Sequence, residues 1–136
     1  VKTLEYLVEF DHLQQYIALV LLLDTSGAMA GTKIRALEEG LRVFKEALTR
    51  HDRAAKRVDL AVVTFDDDVR VIHDFASVER FDPPTLVGSG QACMGDAILK
   101  AVEMVETRKR QYRENGVDYY RPIILLVMTS YNSKAH

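Results

Sequence analysis

Two stretches of the chain are apolar at almost every position: residues 17–23 (Ile-Ala-Leu-Val-Leu-Leu-Leu) and residues 122–127 (Pro-Ile-Ile-Leu-Leu-Val). Side chains alternate between the two faces of a strand, so a run without polar alternation predicts strands covered on both faces, as in a parallel sheet flanked by helices. Between these runs the period changes. Ile34, Leu37, Leu41, Phe44 and Leu48 recur at spacings of three and four, which predicts a helix starting at Gly31 or Thr32 and fraying over residues 49–52. Residues 57–65 and 69–75 read as strands separated only by Asp66-Asp67-Asp68. So short a connection makes them an antiparallel hairpin, with the second, more polar strand at a sheet edge. Pro83-Pro84 excludes a central strand and leaves residues 77–90 as loop. A second helix is expected from Met94 or Gly95, with Ile98, Ala101, Val102 and Val105 as its apolar face and a charged end over residues 108–113. Near the start, Leu4, Tyr6, Val8 and Phe10 share one parity, so residues 1–15 read as an extension able to form an extra strand.

The order strand, helix, hairpin, helix, strand predicts an α/β fold: a three-layer, Rossmann-like arrangement with a mostly parallel sheet and an antiparallel edge hairpin. The 136 residues suit a single domain over residues 1–136. Ligands of open α/β sheets bind beyond the carboxyl ends of the strands, and Asp24 stands at one such end. Composition narrows the partners. With 18 basic and 20 acidic residues, the net charge of -2 gives no electrostatic footprint for nucleic acid. A single cysteine, Cys93, excludes an intrachain disulfide framework and suits a reducing compartment. The longest apolar run, residues 17–23, is too short for a membrane-spanning helix, and no signal-peptide pattern opens the chain. The expected setting is cytoplasmic, away from membranes.

Candidate chemistry concentrates in Asp24-Thr25-Ser26-Gly27. A carboxylate and hydroxyls in one strand-end loop can converge on a hard cation such as magnesium, although such loops as often cap a helix or solvate a turn. Asp66, Asp67 and Asp68 read as a charged hairpin turn, with Asp66 beside the same loop end. His12, His51, His73 and His136 are isolated and form no zinc cluster with Cys93. Cys93 has no neighbouring base and reads as a small packing residue. Gly88-Ser89-Gly90 lacks the lysine of a phosphate loop. The basic residues Arg108, Lys109, Arg110 and Arg113 read as a solvated helix end.

Several motifs then occur together: Val20-Leu-Leu-Leu-Asp-Thr-Ser-Gly-Ala-Met-Ala-Gly31, Lys33-Ile-Arg-Ala-Leu37, Leu60-Ala-Val-Val-Thr-Phe-Asp66, Met94-Gly-Asp-Ala-Ile98 and Tyr120-Arg-Pro-Ile-Ile-Leu-Leu126. In this order they resemble a von Willebrand factor A (vWA) domain, in particular the bacterial tellurium-resistance TerY-like group, across residues 16–129. The resemblance implies a metal-ion-dependent adhesion site built from an aspartate and two serines of the first loop, a threonine of a second loop and an aspartate after a later strand. Asp24 and Ser26 match. The other three positions fall on Ala28, Ala92 and Ser130, so the site is expected to be degenerate and, lacking anionic and hydroxyl oxygens, to bind no magnesium at millimolar concentration.

The function expected is a non-enzymatic protein-interaction module of vWA type with an inactive metal site, recognising its protein partner through a rim that includes Met29, Gln91 and Tyr131. The alternative is a residual cation module, holding Mg2+ or Mn2+ weakly through Asp24, Ser26, Asp66 and waters, and gripping an acidic residue of the partner. A hydrolase using Asp24 or Ser26 would need a general base and an oxyanion arrangement that the sequence does not supply. Family members are longer and carry six strands, so the resemblance implies a C-terminally truncated domain with a bare edge beside residues 123–127. Residues 3–10 are expected to cover that edge, in the same chain or in a homodimer partner.

Overall fold

The computed structural model describes residues 15–128. Its sheet is built on β1 (Ile17–Asp24), which pairs in parallel with β2 (Val58–Phe65) on one side and with β4 (Ile123–Val127) on the other. The fourth strand, β3 (Val69–Ser77), runs antiparallel to β2, giving the order β3-β2-β1-β4. The topology is therefore an open, mostly parallel sheet with an antiparallel edge pair, Rossmann-like in general terms. Every residue of β1 and β2 is buried, as their apolar runs require.

The two faces are filled from different helices. Helix α1 (Thr32–Thr49) lays Leu41 and Leu48, with the partly buried Leu37 and Phe44, against Leu19, Leu21, Leu23, Leu60 and Val62. Helix α3 (Met94–Glu114) lays Ala97, Ala101 and Val105 against Val20, Leu22, Ala61 and Val63. The parity of the strands thus decides which helix each side chain meets. Between α1 and β2 the chain does not simply fray: after Thr49 it re-forms a short helix, α2 (Asp52–Arg57). Ala54 and Ala55 bury against the α1 side, and Lys56 and Arg57 close the helix where its carbonyl end favours positive charge.

Three expectations are corrected. The apolar face of α3 is not Ile98 and Val102, which are 39% and 45% exposed, but the small side chains Ala97 and Ala101 followed by Val105 and Tyr112. Alanine lets the helix axis approach the sheet, so the stripe that packs is the less hydrophobic one. The basic end of α3 is not simply solvated, because Arg108 and the buried Tyr112 both bond to the buried Asp59 of β2. Finally, among the described residues β4 is covered on one face only. Ile123, Leu125 and Val127 pack on the α1 side, while Ile124 and Leu126 remain 38% and 37% exposed. The expected extra strand of residues 3–10 lies outside the described residues.

Candidate functional site

The carboxyl ends of β1 and β2 lie side by side, since Asp24 is in register with Phe65. The first loop leaves β1 at Thr25, whose amide continues the ladder by donating to the Phe65 carbonyl at 2.9 Å. Asp24, Thr25, Ser26 and Asp66 are all buried. Each polar group there therefore needs a partner, because an unsatisfied one costs about 1–3 kcal/mol. The Asp24 carboxylate turns back on its own loop, Oδ1 accepting from the Ser26 amide at 2.8 Å. Ser26 then starts a single 3-10 turn, Gly27–Met29, its carbonyl accepting from the Met29 amide at 2.9 Å.

The loop between β3 and α3 closes over this turn. The Ser89 amide donates to the Thr25 carbonyl at 3.0 Å, and the Gly27 amide donates to the Gly90 carbonyl at 2.8 Å. Two glycines make that approach possible. A Cβ at Gly88 would stand 2.7 Å from the Ala30 amide nitrogen, and Gly90 has φ +77°, a conformation that side-chain-bearing residues adopt at a cost. Gly88-Ser89-Gly90 is thus a backbone clasp on the first loop. The hairpin turn joins the same network, with Asp67 Oδ1 accepting from the Gln91 amide at 3.0 Å and the Asp66 carbonyl accepting from the Cys93 amide at 2.9 Å.

Asp66 has a counter-charge that sequence reasoning missed. Arg70, four residues on in β3, donates from Nη1 to Asp66 Oδ1 at 3.0 Å and to Oδ2 at 2.9 Å. The Thr25 hydroxyl donates to Oδ2 at 3.2 Å and the Asp68 amide to Oδ1 at 3.1 Å. Burial by itself would raise the Asp66 carboxyl, but the Asp68 amide, the Arg70 guanidinium and the Thr25 hydroxyl outweigh it and hold the pKa below the ordinary 3.8. The available signal was the Asp66/Arg70 spacing across a turn that puts residue 70 opposite Thr64, two positions before Asp66. Beside this pair opens a groove of about 330 Å³, lined by Thr25, Thr64, Asp66, Arg70, Thr85 and Ser89, among others.

The sequence-predicted site residues are only partly brought together. Asp24, Ser26 and Asp66 meet at one end of the sheet, with Ala28 and Gln91 exposed around them. Ala92 is exposed beside Gln91 and, like Ala28, has no side-chain oxygen. Met29, expected on the accessible rim, is instead buried at 5% exposure, because the 3-10 turn rolls it under the loop. Ser130 and Tyr131 lie outside the described residues. Cys93 is partly buried against the α3-side core. Burial first, then the negative charge of Asp96, raises its thiol above the ordinary value, opposite to what a nucleophilic thiolate requires.

A vWA-type magnesium site does not fit these residues. Magnesium needs near-octahedral oxygen donors, whereas Ala28 and Ala92 offer none. The Asp66 carboxylate already faces a guanidinium, and among the described residues no group of three or more His, Cys, Asp or Glu is placed to hold a metal ion.

No protein-family model and no curated protein matches the chain. Its fold, however, has solved relatives. An uncharacterised protein from Alicyclobacillus acidocaldarius superposes with TM-score 0.55 at 25% identity, over 69% of this chain and 42% of that one. An aspartate-to-alanine mutant of the PilB minor pilin from Streptococcus sanguinis gives TM-score 0.65 at 15% identity, over 90% of this chain and 33% of the pilin. Another structure of the PilB minor pilin gives 0.58 at 15% identity, over 71% and 27%. The chain spans less than half the length of each of these proteins. At such identities the likeness to the pilin is one of fold. Among the described residues, no helix is long and apolar enough to cross a membrane.

Proposed function

We propose that this chain is a non-enzymatic protein-interaction domain of the vWA type, which meets its partner through the loops at the carboxyl ends of β1 and β2 without a bridging metal. The observation that carries this reading is the Asp66–Arg70 pair. Asp66, which a residual cation module would need as a ligand, is already held by the Arg70 guanidinium at 3.0 and 2.9 Å. The accessible rim is made of Ala28, Gln91 and the exposed turn residues Asp67 and Asp68, with Tyr131 assigned to it by sequence position. The fold shared with a minor pilin supports an interaction role, while the loop motifs favour the TerY-like group. Both associations are compatible with a domain that binds protein and transforms no substrate.

Isothermal titration with magnesium and then manganese tests the metal-free part. The expected result is no saturable heat at millimolar metal. A one-to-one heat that Asp24→Ala removes would overturn it in favour of a residual cation module. Partner recovery with and without EDTA tests the surface. Gln91→Glu and Ala28→Asp are expected to reduce recovery while EDTA leaves it unchanged, and equal recovery from both variants would remove the rim from consideration.

A further inference from the structure

We propose that the cavity beside Asp59 and Lys56 binds a small carboxylic acid with a hydrogen-bond donor on the adjacent carbon, an α-amino or α-hydroxy acid. The site lies at the opposite end of the sheet from the loops of Asp24 and Asp66, so this inference stands apart from the reading above. Asp59, the second residue of β2, is in register with Ala18 of β1 and with Ser77 of β3. Beside it opens a cavity of about 390 Å³, bounded on the helix side by the C-terminal part of α3. That volume falls in the range of small-molecule pockets, about 300–1,000 Å³.

The cavity holds an acceptor with nothing to accept from. The Asp59 side chain is 8% exposed. Both of its hydrogen bonds, from Arg108 Nη2 at 2.9 Å and from the Tyr112 hydroxyl, fall on Oδ2. Oδ1 has no hydrogen-bond partner among the described residues and stays open to the cavity. A carboxylate has about four acceptor sites, and one left unmet in a buried side chain favours a donor brought by a ligand. Arg108 is not free to supply it. Its Nη1 donates to Gln111 Oε1 at 3.0 Å, and its guanidinium lies 5.6 Å over the Phe75 ring and 5.2 Å over the Tyr112 ring.

The same lining holds a cation with no counter-ion. Lys56 is exposed on the cavity wall, and among the described residues its ammonium has no hydrogen bond or ion pair. Arg108 already matches the charge of Asp59, so Lys56 leaves the lining with an excess positive charge. Arg57, stacked 5.0 Å over the Tyr16 ring, adds to the field. Gln111, its Oε1 held by Arg108, has amide N–H donors to offer. A simple anion would leave Asp59 Oδ1 unmet, and a simple ammonium would be repelled by Lys56. A molecule with a carboxylate beside a donor answers both, while Tyr16 and Val117 give its side chain an apolar wall.

Titrating the 136-residue chain and following amide chemical shifts tests this with a matched series. L-Leucine and its α-hydroxy analogue, leucate, carry both groups; isocaproate lacks the donor and leucinamide lacks the carboxylate. Leucine, leucate or both are expected to bind saturably at millimolar concentration, with shifts centred on Tyr16, Lys56, Asp59 and Gln111 and none at Ser26 or Gln91. Binding of leucine alone would assign an ammonium to Asp59, and of leucate alone a hydroxyl. Isocaproate and leucinamide are expected to bind about tenfold more weakly or not at all, and Lys56→Gln to weaken the full ligand about tenfold. Lys56 is exposed, so that variant should keep the native amide spectrum. No saturable shift with leucine or leucate would overturn the proposal. So would shifts centred elsewhere, isocaproate binding as tightly as the full ligand, or affinity indifferent to Lys56→Gln.

Discussion

Asp66 and His73 meet burial in opposite ways. Asp66 stays a carboxylate because Arg70, Thr25 and the Asp68 amide surround it, and its stabilising contribution is present above the ordinary 3.8 and lost only as pH falls through its lower folded value. His73 has no such compensation. Its Nε2 is buried without a hydrogen-bond partner among the described residues, and its ring meets Phe81 edge-on at 5.3 Å. Burial, against the pull of Asp74 and Asp82 and with a small push from Lys45, lowers its pKa below 6.5. The unfolded chain therefore takes up a proton first as pH falls, and the stability present above pH 6.5 is lost below it. Urea midpoints at pH 7.5 and 5.5 should differ more for the native chain than for His73→Leu, with the acid side less stable. Equal differences would refute the assignment. None of this was legible in the sequence, where His73 is one isolated histidine. Asp24 and Ser26 were legible because strand-end position and residue type follow from the apolar run. Arg70 was not, since its role depends on the cross-strand register.

At the scale of elements, the strands were read closely and α3 in part: its start at Met94 and the packing of Ala101 and Val105 were expected, while Ile98 and Val102 are exposed. A fully buried parallel strand announces itself by continuous apolarity, as β1 and β2 do. A helix over a sheet is ambiguous when alanines and larger residues offer two overlapping stripes, and here close approach selects Ala97 and Ala101 over Ile98 and Val102. Its far end is then pinned by polar bonds. Asp59 Oδ2 accepts from Arg108 Nη2 at 2.9 Å and from the Tyr112 hydroxyl, and Arg108 lies 5.6 Å over the Phe75 ring. Burial, then the bond and charge of Asp59, push the Tyr112 hydroxyl well above its ordinary pKa, so it remains a donor at any physiological pH. Asp59→Asn removes the charge that holds both partners, with Arg108 still partly open to water. The expected cost is about 2 kcal/mol in urea unfolding. A loss under about 0.5 kcal/mol would mean that the pair is incidental.

For the whole molecule, the sheet divides two cores, and the strands they share are what make them one unit. Leu22 of β1 is fully buried on the α3 side, while its neighbours Leu21 and Leu23 face α1. Neither helix can leave without exposing a strand on which the other depends, so unfolding should be a single transition. The alternation that assigns each side chain to a core was readable from the strand runs alone. The shortfall of cover on β4 was not, because it depends on how far α3 reaches across the sheet. Leu22→Ala should cost about 2–5 kcal/mol through lost burial and the cavity left behind. The chain has no tryptophan and six tyrosines, so tyrosine fluorescence can follow tertiary packing while far-ultraviolet circular dichroism follows the helices. In the variant both signals should shift to the same lower midpoint. Separated midpoints, with helix signal outlasting the tyrosine change, would mean that the α1 core survives alone and that the sheet does not couple the two layers.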